Sequence, residues 1–128
     1  MKEPIWIREI EALAFHAQLL SLFGGIEGIR DQGLLQSALA RPKNLLVYAE
    51  TPPSLADLAA AYAVGISSNH PFVDGNKRTA MQVAFVFLAF NGMEVTASQE
   101  DACLTFLRLA AGEITEPALA EWLREHTA

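Results

Sequence analysis

Apolar residues along this chain recur at three- and four-residue spacing, and glycine, proline or Asn-Gly interrupts them at short intervals. That pattern predicts helices and almost no strand. The first helix runs from about Trp6 to Phe23, with Ile10, Leu13, Leu20 and Phe23 among its apolar positions, and Gly24-Gly25 stops it. A connector, Ile26 to Arg30, leads to Asp31, an N-cap for a helix through Ala40 that Arg41-Pro42 ends. Between Pro42 and Pro53 neither period holds. There Leu45-Leu46-Val47-Tyr48 reads as a brief strand or hairpin arm, placed as a flap over a site. Ser54 and Asp57 form a capping box for an alanine-rich helix that runs to Ser68-Asn69, so His70 arrives as it ends. The next helix begins at Gly75 or Asn76 and reaches Phe90. Its second half is apolar on nearly every face, as expected of a helix enclosed by others. Ser98, with Glu100 and Asp101 behind it, opens a helix that ends at Gly112; Thr115 and Pro117 open the last. The expected fold is an all-α bundle of about six helices around a buried central one.

Composition narrows the class. A chain of 128 residues is expected to form one domain, residues 1–128, burying about two-thirds of its unfolded surface. Hydrophobic residues make up 52% and charged residues 19%, which excludes a disordered chain. The most apolar run, Val83 to Phe90, is far short of the roughly 20 residues of a membrane span. Met1-Lys2-Glu3-Pro4 lacks the basic and apolar regions of a signal peptide. The single cysteine, Cys103, beside Leu104 and Phe106-Leu107, reads as a small buried side chain. Together these features place the protein in the cytoplasm. A net charge of −6 argues against direct nucleic-acid binding, which needs a basic surface. An acidic body with one cationic pocket suits a small anion.

That pocket is predicted by His70-Pro71-Phe72-Val73-Asp74-Gly75-Asn76-Lys77-Arg78-Thr79-Ala80. Unpaired N–H groups at the start of a helix attract anions, and Gly75 there removes a side chain that would hinder approach. Lys77 and Arg78 add formal charge, Arg in the bidentate geometry phosphate prefers. A carboxylate would be repelled by bare phosphate, so Asp74 points to Mg²⁺ between the two. His70 is a candidate base for an attacking hydroxyl. Singly, each has a plainer reading: a capping histidine, a solvated helix face, an Asp-Gly turn. Phe72 reads as a core anchor. Jointly they form the kit for phosphoryl or nucleotidyl transfer.

The segment resembles the Fic signature, His-x-Phe-x-(Asp/Glu)-Gly-Asn, and most closely its death-on-curing (Doc) branch, which has Asn-Lys-Arg-Thr-Ala, as Asn76 to Ala80 do here. The likeness extends to Gly24 through Asp31, to Leu35-Gln36-Ser37-Ala38-Leu39, and to Phe87-Leu88 before Asn91-Gly92. It implies a Fic-fold toxin of a toxin–antitoxin pair. By the resemblance His70 is the base, Asp74 holds Mg²⁺, and Gly75, Asn76, Lys77 and Arg78 hold the phosphates of ATP. The branch implies a kinase that transfers the γ-phosphate to a threonine of elongation factor Tu, halting translation, and an antitoxin whose tail folds onto a groove. Gly75 is the residue of the Fic adenylyltransferases, where the phage-type toxin has alanine; Met81 stands where those enzymes have a second arginine. Hence the kinase leads, with AMP transfer or a non-catalytic anion- and antitoxin-binding module as alternatives. Thr96 to Glu100 has the spacing of a self-inhibitory Fic helix, but a helix cap explains it better.

Overall fold

The computed structural model describes residues 3–128; the start of the expected unsignalled N-terminus, Met1-Lys2, lies outside it. Six helices follow in order: α1 (Glu9–Phe23), α2 (Gln32–Tyr48), α3 (Leu55–Asn69), α4 (Asn76–Phe90), α5 (Gln99–Ala110) and α6 (Glu116–Glu125). Among the described residues there is no strand, only two isolated antiparallel bridges, Ile29 with Phe72 and Val95 with Thr127. Among the described residues no helix is long and apolar enough to cross a membrane.

Local chemistry sets the helix starts. Asp31 Oδ1 accepts from Leu34 N, Ser54 Oγ from Asp57 N, Ser98 Oγ from Asp101 N, and Thr115 Oγ1 from Ala118 N. Asp57 Oδ2 completes the capping box by accepting from Ser54 N. Thus the Thr96–Glu100 segment does serve as a cap.

Helix α1 starts later than the apolar spacing predicts. The Asn91 side chain bonds both N and O of Ile5, and the Tyr62 hydroxyl accepts from Ile7 N at 3.0 Å. These ties keep residues 5–7 out of the helix, which opens only at Glu9 after the extended Arg8.

The expected break at Arg41-Pro42 and the hairpin at Leu45–Tyr48 do not occur. Helix α2 runs through Pro42 to Tyr48. Proline at position 42 removes the donor that would reach the Ala38 carbonyl one turn back. That carbonyl instead lies against Gly65 of α3, where a Cβ would come within 3.2 Å of it and 3.1 Å of Ala38 Cα. Burial of Pro42, Ala38 and Leu39 against α3 outweighs the local penalty of the proline.

Helices α3 and α4 form the centre. Ten residues of α3 are buried, half of them alanine, which lets α2, α4 and α6 pack closely around it. Helix α4 buries Ala80, Val83, Ala84, Phe87 and Leu88. On an exposed helix Gly→Ala gains about 1 kcal/mol. Here the sign reverses: Gly65→Ala is expected to destabilise the fold by about 1–3 kcal/mol, because neither backbone can yield. Chemical denaturation measures this.

Cys103 is exposed, contrary to the sequence expectation. Helix α5 packs through Ala102, Phe106 and Leu109, and Cys103, Leu104 and Leu107 turn away from that face.

Candidate functional site

The residues singled out in the sequence come together at the turn between α3 and α4. His70, Asp74, Gly75, Asn76, Lys77 and Arg78 line an open depression of about 460 Å³, with Val73 and Ala110 completing its wall. All but Asn76 present solvent-accessible surface.

Gly75 is the N-cap of α4 and sits at φ 79°, ψ 17°, left-handed backbone that glycine adopts without penalty. No side chain caps the helix there, so its first N–H groups have no side-chain partner, a condition under which a helix N-terminus can receive an anion. Lys77 and Arg78 follow immediately. The Arg78 guanidinium lies 4.5 Å from the centroid of the Phe23 ring, a cation–π contact that orients its fork.

Asp74 is fixed rather than free. Its Oδ2 accepts from Ile26 N at 3.1 Å and its Oδ1 from Gly75 N at 2.9 Å. These two backbone donors, with Arg78 nearby, hold its carboxyl below the usual carboxylate range. A depressed pKa favours the native state above the unfolded value, and this contribution is lost as pH falls through the native one. Each oxygen accepts one bond and so keeps capacity for a further partner. Among the described residues no group of three or more metal-ligating side chains exists. A lone carboxylate beside a helix N-terminus and two cations fits Mg²⁺, which keeps waters and takes phosphate oxygens, and does not fit a dedicated metal cage.

His70 ends α3 in left-handed geometry, φ 48°, ψ 57°; among the described residues it alone, other than glycine, has positive φ. Its ring is exposed, with Nδ1 3.4 Å from Asn76 Nδ2. That contact is long for a hydrogen bond, so it orients the ring without committing the tautomer. Asn76 itself is buried, and its amide is spent on the loop: Oδ1 accepts from Phe72 N and Nδ2 donates to Phe72 O. Phe72 is buried, as its apolar character predicts.

Sequence reading missed two residues that brace this loop. His16 of α1 is buried, its ring stacked on Phe72 at 3.8 Å, and its Nε2 donates to the Asp74 carbonyl at 2.8 Å. A carbonyl only accepts, so His16 carries its proton on Nε2. The signal was present: position 16 falls in the apolar stripe of Leu13 and Leu20, where a histidine needs a polar partner. Arg30 is the second, donating from Nε to His70 O and from Nη2 to Asn69 O, each at 2.6 Å.

Comparison with known proteins agrees with this geometry. The family model described as Fic/DOC matches residues 6–88, more than half of the chain and the whole of the site's scaffold except Ala110. The "Protein kinase doc" of Escherichia phage P1 is 37% identical over 114 residues, covering 89% of each protein. The "Toxin Doc" of Mycolicibacterium smegmatis is 45% identical over 75 residues, covering 59% of this chain and 58% of that one. With its motif folded at a helix N-terminus and its likeness extending over most of its length, the chain belongs to the Fic/DOC family.

Proposed function

We propose that the protein is the toxin of a toxin–antitoxin pair and acts as a Mg²⁺- and ATP-dependent kinase on a protein hydroxyl. The acceptor drawn from the family resemblance is a threonine of elongation factor Tu. One observation carries this reading. A potential base, an ionised carboxylate with acceptor capacity to spare, and an uncapped helix N-terminus flanked by two cations share one depression.

In this reading the α4 N–H groups, Lys77 and Arg78 hold the polyphosphate and spread its charge. Asp74 would hold Mg²⁺, which supplies charge neutralisation between phosphate oxygens. His70 takes the proton of the acceptor hydroxyl as its oxygen bonds to the γ-phosphorus. The bond from that phosphorus to the β–γ bridging oxygen breaks, and ADP leaves. Asn76 keeps the loop in shape for both ends of the site. A separate antitoxin is the expected partner, as the second relative's name, a toxin, supports.

AMP transfer is the second reading, and Gly75 favours it. Met81 opposes it. Met81 packs against the core and lines a depression of about 270 Å³ with Lys77, Arg78, Cys103, Leu104 and Leu107, and it adds no charge at the position where the adenylyl-transferring pose would call for a further cation. Incubation with elongation factor Tu and ATP labelled on either phosphate separates the readings. Label from the γ position is expected. Label from the α position means AMP transfer, and no transfer to any lysate protein means a binding module.

A further inference from the structure

The segment from Gly24 to Asp31 figures in the family likeness but supplies none of the groups in the chemistry above. Its arginine is placed with unusual economy. Three consecutive carbonyls, those of Asn69, His70 and Pro71, all accept from Arg30: from Nη2 at 2.6 Å, Nε at 2.6 Å and the backbone N at 2.7 Å. Asp31 N also reaches Pro71 O, and Val73 N donates to Gly28 O, so the connector runs alongside the loop as a short backbone splint.

These bonds span the one point among the described residues where a residue other than glycine has positive φ. Left-handed backbone strains a side-chain-bearing residue, and helices ending this way usually place glycine or asparagine there. His70 instead keeps its imidazole and tolerates the strain. Its N–H still bonds Ile66 O, which fixes one side of its Cα. The other side is fixed by Pro71, which has no donor, and by the carbonyls Arg30 grips. Among the described residues Arg30 has no carboxylate partner. Its whole charge therefore faces the negative end of α3.

We propose that Arg30 is a positioning residue that holds the His70 backbone in its left-handed conformation and so aims the imidazole into the depression. The inference rests on the phosphotransfer reading for its kinetic arm only. A conventional helix cap would affect stability alone; a positioning residue acts on turnover. Displacing a reacting group by about 1 Å costs on the order of 10²-fold. Arg30→Ala is expected to lower kcat by about that factor, with the KM for ATP little changed, because the phosphate end of the site is held by other residues. Arg30→Lys, which reaches one carbonyl instead of two, is expected to lose about tenfold. Millimolar methylguanidinium should restore turnover to Arg30→Ala and not to a protein lacking the His70 imidazole.

The structural arm needs no activity. Histidine-selective NMR should show the His70 ring signals shifted or broadened in Arg30→Ala, and those of His126, on Trp122 O at the end of α6, unchanged. Unaltered His70 signals, or an unaltered kcat in a protein that transfers phosphate, overturn the proposal. If the wild type transfers nothing, the functional reading falls and the NMR result alone decides the role of Arg30.

Discussion

His70→Ala is expected to lower the rate of phosphate transfer by about 10²–10⁴-fold, the range that loss of a general base commands. The affinity for ATP should change little, because the groups proposed to meet phosphate lie on α4, beyond Asp74. Stability should also change little: alanine inherits the same left-handed backbone, and the ring is exposed with one long contact to Asn76. A steady-state assay alongside calorimetric titration of ATP separates the two quantities. A loss confined to ATP binding would place His70 among the ligand contacts and leave the reaction without a base. Full activity in a folded His70→Ala protein would remove the catalytic account altogether.

Arg78 carries the second large effect. Arg78→Ala should cost about 10²–10³-fold in turnover, comparable to removing one preorganised donor from a developing anion. Arg78→Lys is the sharper test. Lysine keeps the charge but not the planar fork, and it stacks less well on the Phe23 ring that orients Arg78 from 4.5 Å. A residual loss of about tenfold is expected for the lysine variant. Equal activity of Arg78→Lys and wild type would mean that charge alone matters at this position, and that Phe23 serves no orienting purpose.

Much of the fold was legible because its helix starts are local chemistry. Asp31, Ser54, Ser98 and Thr115 each bind a backbone N–H within three residues, so sequence neighbours contain the whole cause. The failures share the opposite origin. Pro42 is a break by every local rule and yet lies inside α2, since what supports it there is Gly65, distant in sequence. Cys103 sits among apolar neighbours, but the direction of the α5 packing face, set by Phe106 and Leu109, decides its exposure.

The site divides along the same line. His70, Asp74, Gly75, Lys77 and Arg78 could be named from one contiguous run because a single turn presents them all. Their orientation could not. Asp74 depends on Ile26 and His16, and His70 on Arg30, across separations of 40 to 58 residues. A histidine in an apolar stripe was the one readable hint. Arg30, in an exposed connector, looked like any surface cation.

That connector has a bearing on which changes this chain tolerates. Exposed loops between helices are ordinarily where length varies freely and where tags or foreign segments can be inserted. Residues 21–33 are exposed throughout, yet between α1 and α2 Ile26 N and Gly28 O each meet a partner in the distant turn, and the backbone and side chain of Arg30 meet three consecutive carbonyls there. One residue added or removed there would put every one of those matches out of step at once. The surface that looks most open to editing is therefore among the least permissive, with its length constrained as tightly as the identity of any residue in the motif.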